Sequence, residues 1–162
     1  AMNPCPCGYL SDPKRSCRCS SSQITNYRQR ISGPLLDRID LHVDVPAIEF
    51  KELSSEKEEE SSSQLRERIE CARLLQTSRF INEPGVVNNA AMTTGLIRKH
   101  CRLDDEGGGL LEQAMGQLHL SARAHGRILK VSRTIADLDD EADIKPDHVL
   151  EAIQYRSLDR EV

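Results

Sequence analysis

Four cysteines stand close together near the start of this chain: Cys5-Pro6-Cys7, nine intervening residues, then Cys17-Arg18-Cys19. Thiolates are strong ligands for zinc, and four of them close a tetrahedral structural site with no open position for catalysis. Gly8, Asp12 and Pro13 lie in the intervening stretch and let the two pairs fold back on each other. The spacing is not that of a Cys-x-x-Cys knuckle, so four reduced thiols in a loop, or a redox pair, remain readings beside a metal site. Four cysteines this close in a chain without an export signal favour the metal. Cys71 and Cys101 sit alone inside helical patterns.

Two arginine-bearing stretches come next. In Leu35-Leu36-Asp37-Arg38-Ile39-Asp40, an arginine ends a short apolar turn just ahead of a strand-like alternation. A guanidinium there, planar and permanently charged, could meet a phosphate held by a neighbouring subunit. Its alternative is a surface pair with Asp37 or Asp40, which spacing alone favours. In Leu120-Ser121-Ala122-Arg123-Ala124-His125-Gly126-Arg127, two arginines fall in the first turns of a helix, where they oppose the helix dipole. That placement fits either an anion partner or ordinary solvated side chains.

Other chemistries are excluded or find no support. The five histidines read as surface or boundary residues with no carboxylate at catalytic spacing, and there is no Ser-His-Asp set. No Gly-x-x-x-x-Gly-Lys-Ser/Thr phosphate loop occurs, so nucleotide chemistry is expected to need residues upstream of Ala1. The first residues read as a cut into a longer protein. The net charge of −4 is uneven: residues 1–38 carry six basic side chains against two acidic ones. A basic stretch of that kind suits phosphates or simple solvation. With no leader and no apolar run near the ~20 residues a membrane span needs, a cytoplasmic protein without a membrane partner is expected.

The elements that must position these residues are mostly helices. With no Trp, three Tyr and two Phe, the core has to come from Leu, Ile, Val and Ala. Residues 3–20 form an irregular loop, and Ser20 to Ser22 can cap a helix running to about Ile31. Ser32-Gly33-Pro34 breaks it, and Pro34 opens a short helical turn. Leu41, Val43 and Val45 alternate with His42 and Asp44, which predicts a strand stopped by Pro46. The acidic, Ser-rich run 51–63 predicts a mobile linker, assigned to 51–61. Ser61 and Gln64 then form a capping box for a helix to about Phe80, marked by Leu65, Ile69, Ala72 and Leu75. Further helices are expected over Thr93–Arg102 and after a flexible Gly107-Gly108-Gly109 joint. The longest begins at Ser121, with Ala124, Ile128, Val131, Ile135 and Leu138 on one face. An acidic turn from Asp139 to Asp143 ends it, and Pro146 starts the last.

Several blocks, in order, resemble one family. They are Ala1-Met2-Asn3-Pro4-Cys5-Pro6-Cys7-Gly8, Ile31 to Asp40, Leu120 to Arg123 with Arg127 to Leu138, and Ala152-Ile153-Gln154-Tyr155-Arg156. Together they resemble the Mg-chelatase-like AAA+ ATPases of the bacterial competence-protein type, over nearly the whole chain. The resemblance implies a mainly α fragment: 1–50 the tail of the α/β core with a four-Cys insertion, 51–61 a linker, 62–162 the helical lid. It implies ATP and Mg2+ in the full-length protein, a homo-oligomeric ring, expected as a hexamer, and DNA as partner by analogy. By position, Asn3 falls on the sensor-1 residue, Arg38 on the arginine finger and Arg123 on the lid's sensor-2 arginine, with Arg127 the second candidate. The family's porphyrin-metallating branch is not associated with the four-Cys loop, so Cys5, Cys7, Cys17 and Cys19, with structural Zn2+, favour the Mg-chelatase-like branch, which includes DNA branch-migration motors. A metal-chelatase or protein-remodelling subunit is the alternative within the class, and a non-enzymatic zinc-binding interaction module the alternative outside it.

Overall fold

The computed structural model describes residues 1–10, 12–46 and 60–156. The chain forms two compact units. One holds Ala1–Arg38 and, among the described residues, 43–46; the other holds Ile39–His42 together with 60–156. Residues 51–59 of the expected linker lie outside the described residues.

In the first unit, α1 (Ser21–Arg28) starts at the N-cap Ser20. The Ser20 hydroxyl accepts from the Gln23 N–H at 3.3 Å, and the Gln23 side chain accepts from the Ser20 N–H at 2.9 Å. This reciprocal cap satisfies two otherwise unpaired groups and begins the helix directly after Cys19. The short α2 (Gly33–Leu36) has Pro34 in its first turn, where a missing N–H costs nothing.

The expected strand over Leu41 to Val45 is absent: the described residues contain no strand. A strand needs a ladder partner, and none lies beside it among the described residues. Leu41, Val43 and Val45 are exposed, and the polar His42 is the buried residue of the group. Its N–H donates to the Tyr155 carbonyl at 2.7 Å, so the segment is tied to a helix end rather than to a sheet.

The helical unit contains α3 (Ser62–Arg79), a 3-10 turn (Asn89–Ala91), α4 (Thr94–His100), α5 (Asp105–Gln117), α6 (Ala122–Leu138) and α7 (Pro146–Gln154). Helix α6 lies at the centre: α3, α4, α7 and the 3-10 turn all pack on it, and α5 packs on α7. Its buried residues include Ala124, Ile128, Leu129, Ser132, Ile135 and Ala136, more than a single stripe. Fully burying a side chain such as Ile128 or Val149 contributes about 1.5–3 kcal/mol.

One expectation about packing is corrected. Gly107-Gly108-Gly109 is no joint but lies in the first turns of α5. Asp104 caps that helix by accepting the Gly107 N–H at 2.7 Å, which offsets the glycines' low helix propensity. Gly107 is there for closeness: a Cβ at that position would stand 3.1 Å from Asp104 Oδ1 and 3.6 Å from Val149 Cγ2. In α3 the capping box at Ser61 and Gln64 is present, yet Leu65, Ile69 and Leu75 are exposed and only Ala72 and Gln76 are buried. The face that meets α6 is set by Ala72, Gln76 and the end of the helix, so the more N-terminal apolar residues have no partner among the described residues.

The tightest feature of this unit is a buried carboxylate. Asp137 lies one turn after Arg133 on α6, and its oxygens accept from four groups. Arg79 at the end of α3 reaches both oxygens, 2.7 Å from Oδ2; Asn89 Nδ2 is 2.7 Å from Oδ2, and Arg133 Nε is 3.0 Å from Oδ1. The rest of the Arg133 guanidinium donates to the Glu141 and Ala142 carbonyls. Those carbonyls are presented by a Schellman-type ending, with Asp140 at φ +55° and the Glu141 N–H donating back to the Ala136 carbonyl at 2.8 Å. Burial alone would raise the Asp137 carboxyl; the hydrogen bonds from Arg79 and Asn89 and the Arg133 charge outweigh it and hold it below its ordinary 3.8.

Removing one partner from a buried pair leaves the other charge uncompensated. Asp137→Ala is therefore expected to destabilise the helical unit by about 3–5 kcal/mol in urea unfolding at neutral pH. Because the folded-state carboxyl is depressed, the wild-type contribution is complete above about pH 4 and is lost as pH falls through the folded value. The Asp137→Ala chain should lack that acid limb.

Candidate functional site

The four cysteines meet. Their sulfurs all lie within 4.8 Å of one another, with Cys5 buried and the other three partly so. Cys5 Sγ is 3.4 Å from Cys7 Sγ and 3.7 Å from Cys17 Sγ, and Cys7 Sγ is 3.6 Å from Cys17 Sγ. These are not disulfide distances, and all four are free thiols. Four sulfurs at about 2.3 Å from a zinc ion stand about 3.8 Å apart, so the donor set has close to the dimensions of a tetrahedral thiolate site.

Local structure explains the convergence. The Gly8 N–H donates to the Cys5 carbonyl at 3.0 Å, closing a turn that only a residue at φ +82° completes without strain. Asp12 Oδ1 accepts from the N–H groups of Lys14 and Arg15, at 2.7 and 2.9 Å, turning the loop back. Arg15 stacks over the Tyr9 ring at 5.1 Å and donates to its hydroxyl at 2.7 Å, bracing that loop. The α1 cap fixes the far side.

The thiols do not behave alike. Backbone N–H groups of Tyr9 and Arg18 stabilise the Cys7 thiolate and bring its pKa down to about 6. Burial, with the neighbouring thiols, pushes Cys19 up to about 12. Cys101 is separate, a core residue pushed up to about 11 by burial.

The proposed nucleotide-facing residues are distributed differently. Asn3 is exposed, its amide 3.7 Å from where a Cβ on Gly8 would stand. Arg38 is exposed and belongs to the first unit, immediately after α2. Asp40, one of the partners spacing had offered it, is instead 2.8 Å from Arg127 Nη1. Arg123 is exposed in the first turn of α6, whose N-cap Ser121 accepts the Ala124 N–H at 3.2 Å. Arg123 and Arg127 lie one helical turn apart on one side of α6.

Sequence reasoning missed several residues. His42 and His148 are buried, not surface or boundary residues. His148 does meet a carboxylate: its Nε2 is 3.3 Å from Asp139, and its Nδ1 accepts the Lys145 N–H at 3.0 Å. Arg156, 1 % exposed, donates to the Ile39 carbonyl. The four-residue spacing of Arg133 and Asp137 was the one legible signal among these; the partners of Arg156 and Asn89 lie far away in sequence.

With this geometry, similarity to known proteins can be placed. Residues 59–156 match the family described as magnesium chelatase, subunit ChlI C-terminal, and residues 1–53 match magnesium chelatase, subunit ChlI. The chain belongs to this magnesium chelatase family. It is 41 % identical over 161 residues to competence protein ComM of Haemophilus influenzae, and 38 % identical over 161 residues to the uncharacterized protein YifB of Escherichia coli. An uncharacterized protein of Mycobacterium tuberculosis is 33 % identical over 156 residues. These alignments cover 99, 99 and 96 % of this chain, which spans 30 % of the length of each relative. No described helix is long and apolar enough to cross a membrane.

The unequal thiols lead to an ordering that can be measured. In chelator-treated protein at pH 7, a brief iodoacetamide pulse should label Cys7 ahead of Cys17 and Cys19, because the thiolate is the nucleophile. Peptide mass spectrometry reads the order, and equal labelling of the three would contradict it.

Proposed function

We propose that this chain is the C-terminal part of a ring-forming AAA+ ATPase that moves DNA, with Arg38 acting in trans as its arginine finger. The observation that carries the reading is the 41 % identity to a competence protein across 99 % of the chain. Competence concerns DNA uptake, and the exposed basic side chains of Lys14, Arg15 and Arg18 on the cysteine loop suit a phosphate backbone. In the ring, Arg38 and Arg123 would place positive charge on the phosphates of bound ATP with Mg2+, and Asn3 would orient the attacking water. The exposure of Arg38 supports a role outside its own chain. A metal-inserting chelatase subunit is the second reading, favoured by the name of the family matched.

The same reading gives the cysteine cluster a structural zinc ion. Support comes from the sulfur spacing, which is close to that of a tetrahedral four-thiolate centre, a kind of site that supplies folding energy directly.

In the full-length protein, Arg38→Ala should lower ATP turnover by about 10³-fold or more while the ring still assembles. Near-normal turnover in an assembled ring would remove the finger assignment. Branched or single-stranded DNA should stimulate wild-type turnover; indifference to DNA favours the chelatase reading. Purified protein should carry one zinc per chain, and Cys5→Ser should release it and loosen residues 1–38 to protease.

A further inference from the structure

We propose that Arg127 and Arg156 are positioning residues that clamp the peptide directly after Arg38, so that the helical unit controls how Arg38 is presented. The inference rests on the arginine-finger reading of Arg38.

Three attachments fall within four residues. The Arg156 guanidinium, 1 % exposed at the end of α7, donates to the Ile39 carbonyl. Arg127 Nη1 stands 2.8 Å from Asp40 Oδ1. The His42 N–H donates to the Tyr155 carbonyl at 2.7 Å, and the His42 side chain is buried. Apolar burial does not explain why this segment docks, since Ile39 and Leu41 are 40 % and 48 % exposed. It is held by charge and hydrogen bonds. Desolvating a guanidinium is costly unless it is well bonded, and Arg156 uses that costly group on a main-chain carbonyl of a segment 117 residues away. Beyond His42 the exposed Val43 and Val45 show no comparable attachment among the described residues.

The position of the clamp gives it a consequence for Arg38. Consecutive Cα atoms are about 3.8 Å apart, so holding Ile39 confines the backbone origin of the Arg38 side chain. Arg127 also sits one turn after Arg123 on α6, so a displacement of the helix that carries Arg123 is passed to Asp40 and to the peptide leaving Arg38. Finger and lid arginine would then respond together to one movement of α6.

The Arg127–Asp40 pair is partly exposed, at 23 % and 56 % for the two side chains, so it can be altered without emptying the core. The test is steady-state ATP turnover by the full-length ring with Asp40→Ala, Arg127→Ala, the exchanged pair Asp40→Arg with Arg127→Asp, and Arg38→Ala alone and combined with Asp40→Ala. Each single clamp variant should lower kcat by about ten- to a hundredfold, the scale of a misplaced catalytic group, with KM for ATP changed less than about twofold. The exchanged pair should regain at least half of the wild-type kcat. Adding Asp40→Ala to Arg38→Ala should cost nothing more, because the finger it positions is gone. Full turnover by Asp40→Ala would overturn the clamp. So would an Arg127 defect that raises KM and is not rescued by exchange, which would make Arg127 a nucleotide contact. Wild-type turnover by Arg38→Ala is a different result: it removes the finger reading itself, whatever the clamp variants do.

Discussion

The helical unit depends on one buried carboxylate. Asp137 draws Arg79 from the end of α3, Asn89 from the 3-10 turn and Arg133 from its own helix on to a single acceptor pair. Each donor is then committed elsewhere: Arg79 to Asn89, Arg133 to the carbonyls that follow α6, Asn89 to Thr134. A charge this buried is tolerated only when its hydrogen-bonding capacity is filled, so the elements around it have little freedom to shift separately. The apolar residues of the same unit, from Phe80 and Met92 to Val149 and Ile153, form one core cluster.

The first unit is organised locally by turns and sulfur: a glycine at positive φ, an Asp12 turn, a reciprocal serine cap and four convergent thiols. Each is a short-range device, acting over a few residues. The unequal ionisation of Cys7 and Cys19 has two causes: backbone N–H groups meet the Cys7 charge, whereas burial, with the neighbouring thiols, disfavours that of Cys19.

Between these regimes lies Ile39–His42. By sequence it continues from α2, and by contact it belongs with α6 and α7. Two arginines that look ordinary along the chain, Arg127 and Arg156, hold it there. These attachments join the segment that follows the proposed finger in sequence to the helix bearing the proposed sensor, with charge and hydrogen bonds in place of apolar burial.

Much of this was written locally. Caps at Ser20, Ser61, Thr93 and Ser121, proline at helix starts, and the apolar period of α6 determine where helices begin and which faces are buried, since caps and periodicity act within one or two turns. The resemblance blocks and the pairing of Cys5 and Cys7 with Cys17 and Cys19 were legible for the same reason. Tertiary structure decided the rest. Leu41 to Val45 has the alternation of a strand, but a strand exists only with a neighbour, and Tyr155 supplied a different hydrogen-bond partner. Gly107 looked like a hinge because its use, room for Asp104 and Val149, depends on a helix 40 residues later in the chain. Leu65 and Ile69 carry a helical period that the described residues leave exposed. Arg156 and Asp137 gain their meaning from partners brought together only by folding, because the cost of a buried charge is set by what surrounds it and not by its place in the sequence.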